Sequence, residues 1–165
     1  MAEHNGLIWM TSSSSGEIIV LYDASSFEFV GSFVADSKRI FGITSLPTYS
    51  CVCTFSLNNL RLWKGEDPTT LQCVRTMNIQ SGLTATMTVI YEEDQSARLL
   101  AGNLNGEIIS YDPHTGHPLQ ELVNDLSNDP QSPAIVHLLQ YANTLVVIAL
   151  RSVTLWPNIY NFCSQ

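Results

Sequence analysis

Short apolar blocks, divided by turn-forming residues, run through the whole chain. "GLIWMTSS" and "EIIVLYD" flank a Ser/Gly turn near the start. "SSFEFVGSFV", "IFGITSL", "SCVCTFS" and "NLRLW" follow, with Pro47-Thr48 and Asn58-Asn59 between the later blocks. Next come "LQCVRTM", "ATMTVIY", the acidic turn "EEDQS" and "ARLLAGNL". Asn105-Gly106 joins the last of these to "EIISYD". Both residues accept positive φ, which predicts a type I′ hairpin. The final blocks are "AIVHLLQ", "TLVVIAL", "VTLW" and "IYNFC". Short length, β-branched content and bounding turns predict strands throughout, even for "AIVHLLQ", whose spacing alone also suits a helix. The expected fold class is all-β, with about fifteen strands.

One phrase recurs. "TSSSSGEIIVLYD" at 11–23 is echoed by "LAGNLNGEIISYD" at 100–112, and worn versions stand in "LNNLRLWK" and "RSVTLWP". Aligned on the aromatic residue, the four copies place Tyr22, Trp63, Tyr111 and Trp156 at spacings of 41, 48 and 45. An aliphatic stands three residues before each: Ile19, Leu60, Ile108 and Val153. A period near 45 with such a local pattern is that of four-stranded propeller units.

These phrases resemble the WD40-repeat family, in which a strand ends in Trp-Asp after a tight turn; "LRLW" is the nearest copy. "NGEIISYDPHTG" is similar to quinoprotein-type propellers, whose repeats often read Gly-x-x-x-x-x-Asp-x-x-x-Gly. The Gly-His that opens many WD40 repeats is absent, and the aromatic is followed by Asp only at Asp23 and Asp112. The resemblance implies a partial, WD40-like β-propeller of about four four-stranded antiparallel blades. It implies a single segment spanning 1–165, with blades near 7–34, 40–78, 85–123 and 133–165. Tyr22, Asp23, Trp63, Tyr111, Asp112 and Trp156 become repeat-signature residues with a structural role. The first blade is expected to hold three strands, the chain entering at its second. Four blades are few for a ring. Uncovered blade faces and strand edges invite association, so a homodimer or completion by another propeller segment is expected.

Composition narrows the function. A net charge of −8, with Lys38-Arg39 the one basic pair, argues against binding nucleic acid or an anionic membrane surface. At 45% hydrophobic and 13% charged, the chain is too apolar for disorder. The most membrane-like run, 133–150, carries His137, Gln140 and Asn143 and reads as buried protein, so no membrane insertion is expected. "LIWM" is too short for a signal-peptide core. Cys51, Cys53, Cys73 and Cys163 show no framework spacing, and no glycosylation sequon occurs, which points to the cytoplasm.

Candidate chemistry is sparse. Neither a phosphate-binding loop nor a Gly-x-Ser-x-Gly elbow is present. Cys51 and Cys53 alternate along one strand and read as small core residues. His114 and His117 in "HTGH" read as a solvated turn, and His137 as a hydrogen-bonded core histidine. "YEEDQS" lacks the alternating acids and Gly of a calcium loop. The chain is read as not an enzyme, with no catalytic, cofactor-binding or metal residue assigned and no cofactor. In repeat arrays function lies on loops that differ from unit to unit. The longest such connection is "VNDLSNDPQSP", 123–133, with Asp125, Asn128, Asp129 and Pro130; the next is "WKGEDPTT", 63–70, with Asp67 and Pro68. Both are candidate partner loops.

The expected function is a non-catalytic protein–protein interaction scaffold or adaptor. The style of "LIWMTSSSSGEIIVLYDA" and "LRLWKGE" also resembles the degenerate C-terminal propellers of multidomain GTPase regulators, DENN-type or Rho exchange factors, and of Roco-type kinases. That resemblance implies a regulatory piece in signalling, without exchange or kinase activity of its own. A quinoprotein-like enzyme is the remote alternative, since its cofactor would need a closed ring.

Overall fold

The structure is a computed structural model that describes residues 1–12, 16–36, 39–56, 59–78, 84–91, 97–122, 134–149 and 152–157. Among them, fifteen strands form four antiparallel sheets, each strand pairing with its neighbour in the chain. Sheet 1 holds β1 (Ala2–His4), β2 (Leu7–Thr11), β3 (Ile18–Asp23) and β4 (Phe29–Val34). Sheet 2 holds β5 (Ile40–Leu46), β6 (Cys51–Ser56), β7 (Asn59–Lys64) and β8 (Gln72–Asn78). Sheet 3 holds β9 (Thr84–Tyr91), β10 (Ala97–Asn103), β11 (Ile108–Tyr111) and β12 (Pro118–Leu122). Sheet 4 holds β13 (Ile135–Tyr141), β14 (Thr144–Ala149) and β15 (Ser152–Pro157). The chain divides into two compact units, Met1–Ile79 with sheets 1 and 2, and Gln80–Gln165 with sheets 3 and 4.

Sheet 1 corrects the sequence reading, which gave it three strands. Asn5 and Gly6 have φ of 50° and 74°, and His4 pairs directly with Leu7. That is the two-residue hairpin with positive φ at both centres that Asn-Gly favours, and it adds β1 at the front. The other Asn-Gly behaves differently. Of Asn105 and Gly106 only Gly106 has positive φ, at 85°, and its N–H donates to Asn103 O over 3.3 Å. Asn103 then closes the turn from within, its Oδ1 accepting the N–H groups of Asn105 and Glu107. The predicted type I′ turn is therefore a wider turn with one left-handed glycine. The expected fourth strand of sheet 4, "IYNFC", lies outside the described residues, as do the "EEDQS" turn and the 123–133 loop.

In the first unit one face of sheet 1 packs on sheet 2. Leu7, Trp9, Ile19 and Leu21 meet Ile40, Ile43, Val52 and Trp63 in a single apolar cluster. Phe33 sits between the two tryptophans, 5.8 Å from Trp9 edge to face and 4.9 Å from Trp63. Gly42 is needed on β5 because the Phe55 ring lies over it, and a Cβ there would stand 2.1 Å from the ring. Strand β6 is buried at every residue, Cys51 and Cys53 included. Burial pushes the Cys51 thiol up to about 11 and the Cys53 thiol higher still. Both fill space as expected and are inert at neutral pH.

Polar groups also tie the two sheets. Asp36, 4% exposed, accepts the Ser56 hydroxyl over 2.7 Å and pairs with Arg61 at 3.5 Å. Arg61 also donates to Ala35 O. His4 Nδ1 lies 2.9 Å from Ser45 Oγ. Burial lowers the His4 pKa below the usual 6.5, with Glu3 opposing weakly. A folded pKa below the unfolded one means that the contribution is complete above 6.5 and is lost as pH falls through the folded value. Stability is thus expected to decline as pH drops below about 6.5, and His4→Gln to remove that decline. Urea midpoints between pH 7.5 and 5 check this. The Asp23, Asp67 and Asp112 carboxyls titrate below 3.8, outside that window.

In the second unit sheet 3 packs on sheet 4. Ile90, Leu100 and Ile108 meet Ile135, Leu138, Leu145 and Val147, with Trp156 against the cluster. Gly102 accommodates Ile135, whose Cγ2 would stand 2.6 Å from a Cβ at that position. His137 corrects the sequence reading: it is exposed, on the opposite face of β13 from Leu138. A one-residue offset decides the face in a strand, and the register irregularity beside Val136 shifts His137 outward.

Candidate functional site

The turns that join the third and fourth strands of sheets 1, 2 and 3 are built on one plan. Each carries an aspartate followed by Ser or Thr two or three residues later: Asp23-Ala-Ser-Ser, Asp67-Pro-Thr-Thr and Asp112-Pro-His-Thr. Short carboxylates can fold back onto nearby N–H groups. Asp23 Oδ1 accepts the N–H groups of Ser25 (2.9 Å) and Ser26 (2.8 Å). Asp67 Oδ1 accepts those of Thr69 (2.7 Å) and Thr70 (3.1 Å). Asp112 accepts the His114 N–H (2.6 Å) and the Thr115 hydroxyl (2.7 Å).

The carboxyl chemistry follows. The N–H groups of Ser26 and then Ser25 hold the Asp23 carboxyl below its usual range. The Thr69 hydroxyl and N–H do so for Asp67. For Asp112 burial is the largest influence and pushes upward, but the donors from Thr115 and His114 together outweigh it and the pKa falls. Asp67 was expected to mark a variable partner loop. It holds the same kind of turn as its counterparts, and Pro68 lies over Gly31 of β4, within 3.1 Å of where a Cβ would stand. The remaining candidates in the longer loop, Asp125, Asn128, Asp129 and Pro130, lie outside the described residues.

The first and third turns match down to the main chain. Phe27 N–H donates to Asp23 O and Asp23 N–H to Glu28 O, both at 2.9 Å. Gly116 N–H donates to Asp112 O at 2.8 Å and Asp112 N–H to His117 O at 3.1 Å. Phe27 therefore occupies the place of Gly116. Its φ is 60° against 77° for the glycine, and it is 71% exposed. A bulky residue in the left-handed region is a true outlier. Phe27→Gly is expected to stabilise the chain by about 1 kcal/mol, read as a higher urea midpoint. Neither the composition nor the repeat pointed to Phe27. The signal was present once the turns were aligned, as a Phe standing in the column of a Gly.

The signature aromatics take two settings. Trp63 is buried between the sheets of its unit, its indole N–H donating to Thr54 Oγ1 on β6 at 2.9 Å. Trp156 packs against the sheet 3–sheet 4 cluster. Tyr111 is buried. Tyr22 faces away from sheet 2 and stacks edge-on against Phe29, centroids 6.1 Å apart, which is itself 63% exposed. His114 and His117 stand in the capped turn. Among the described residues no group of three His, Cys, Asp or Glu is placed to hold a metal. No helix of the described residues is long and apolar enough to cross a membrane.

No protein-family model matches the chain, and no curated protein does. Solved structures do match, in 949 chains. One is the crystal structure of the computationally designed Ika4 protein, at 13% identity and a TM-score of 0.69. The match covers 94% of this chain and 88% of that one. At such identity the likeness is one of fold alone.

Proposed function

We propose that the chain is a non-catalytic scaffold for protein–protein contacts, its four sheets serving as blades of a WD40-like propeller. The observation that carries the binding role is Phe27, a strained and exposed aromatic held on a rigid turn. Strain of this kind is kept where it serves a purpose, and exposed aromatics are common anchors of interfaces. The propeller reading draws support from the recurrence of one capped turn in three sheets, from the Trp63–Thr54 tie, and from four meander sheets at the spacing of the repeat. The acidic balance favours a neutral or basic protein partner over nucleic acid.

The test uses a variant that cannot lose binding by misfolding. Phe27→Gly relieves the backbone, so the folded state is kept while the aromatic is removed. Affinity purification with quantitative mass spectrometry, from cells making either form, should show a specific protein depleted about ten-fold or more with the variant. An unchanged partner set would overturn the assignment of Phe27 as an anchor.

A further inference from the structure

We propose that the edge of sheet 1 formed by β4 takes an extended segment of a protein partner as a fifth strand, one whose residues alternate between apolar and basic. The proposal rests on the scaffold reading above and names the kind of partner and the backbone that receives it. It concerns the first unit alone.

The ladder between β3 and β4 shows which groups are open. Ala35 N–H donates to Glu17 O at 3.0 Å, and these two residues stand opposite each other, next to the Ile18–Val34 pair. Hydrogen-bonded and non-hydrogen-bonded pairs alternate along an antiparallel ladder. Phe33 and Gly31 therefore bond across to Ile19 and Leu21, while Val34 and Ser32 turn their N–H and C=O groups away from β3. Among the described residues no other group bonds to those outward groups.

Such edges are normally defended by charge or proline. The fourth strand of sheet 2, β8, reads "QCVRTMN" and carries Arg75. That of sheet 3, β12, reads "PLQEL", opening on Pro118 and carrying Glu121. Strand β4 reads "FVGSFV" and has neither. Along it Phe29, Val30 and Val34 are 63%, 41% and 67% exposed. Phe27, in its left-handed turn, stands two residues before the strand begins.

The two faces beside this edge set the chemistry of the partner. Side chains of an added strand alternate between them. On the face turned from sheet 2 they meet Val34 and the Tyr22–Phe29 pair, which are apolar. On the other face they meet the Asp67-Pro68 turn, since Pro68 lies 3.1 Å from where a Cβ on Gly31 would stand. Glu17 and Glu28 add acid at the two ends of the strand, and residues 17–36 hold no Lys or Arg. Apolar residues toward Val34 and Lys or Arg toward Asp67 complement both faces. A strand of six residues covers too little for a permanent complex. The contact is of the transient class, with main-chain hydrogen bonds supplying much of its affinity.

A fluorescein-labelled peptide of alternating Val and Lys, titrated with the full chain and read by fluorescence polarisation, tests this. It should bind saturably, and the same peptide with its amides N-methylated should not. A peptide of alternating Val and Glu should bind about ten-fold or more weakly. Ser32→Pro removes an outward N–H that the sheet does not use. It should weaken the Val/Lys peptide about ten-fold with an unchanged circular dichroism spectrum. Hydrogen exchange on the unaltered chain needs no variant: the peptide should protect the Ser32 and Val34 amides. Absence of saturable binding, equal binding of the methylated peptide, indifference to Ser32→Pro, or protection confined to other strands would each overturn the proposal. Any of these, with a protein still depleted by Phe27→Gly, would leave the scaffold reading standing. Protection of β4 with a partner set unchanged by Phe27→Gly would support strand addition and overturn only the Phe27 anchor.

Discussion

Trp9→Ala should lower the stability of the first unit by about 4 kcal/mol. Trp9 is 1% exposed and stands at the centre of the contact between sheets 1 and 2. Truncation removes one of the two tryptophans of that contact and the edge-to-face partner of Phe33. Neighbours on paired strands cannot collapse into the space without breaking their register, so most of the cavity stays. Trp9→Phe separates size from polarity. The Trp9 indole N–H is buried with no hydrogen-bond partner among the described residues. Phe keeps an aromatic ring against Phe33 and removes that unpaired donor, whose burial is costly. Its loss should be less than half that of the alanine. Urea unfolding followed by the fluorescence of Trp63 and Trp156 reads both, the Trp63 share reporting on the first unit because Trp63 stands 4.9 Å from Phe33 in the same cluster. An alanine cost near 1 kcal/mol would mean that sheets 1 and 2 are not held at this point.

Arg61→Met should cost about 3 kcal/mol. Arg61 bridges Asp36 and the Ala35 carbonyl, on the connection between the two sheets. Its removal takes the guanidinium away from a carboxylate at 4% exposure. The Ser56 hydroxyl still donates, but a neutral hydroxyl does not replace the charge that Arg61 supplied. The partner variant separates the charge from the packing. Replacing both members of a buried pair with apolar residues is often nearly neutral. The double variant Arg61→Met with Asp36→Leu should therefore recover most of the loss, and denaturant midpoints of the three proteins decide it. If the double variant were as unstable as the single one, packing by the arginine stem would be the cause.

The strands were legible in the sequence because their chemistry is local. Alternation, β-branched content and turn residues act within a few positions, and they place every described strand but β1. The missed strand, β1, was equally legible, because Asn5-Gly6 between "AEH" and "LIWM" is a strong hairpin signal. Asn105-Gly106 failed for a different reason. Asn103 uses its own side chain to close that turn, and a dipeptide rule takes no account of a competing acceptor two residues upstream. His137 failed because a single register irregularity beside Val136 turns it outward.

The candidate site divides in the same way. The capped turns are written in the chain as Asp followed at two or three residues by Ser or Thr, since an Asx turn needs only neighbours. Local residue chemistry thus established the all-β class, the repeat and the turns. Tertiary packing decided which face of each sheet is covered and that Asp36 meets Arg61 and Ser56 across the sheets. Those outcomes depend on residues brought together from 20 to 41 positions apart, and no pattern confined to one strand carries that information.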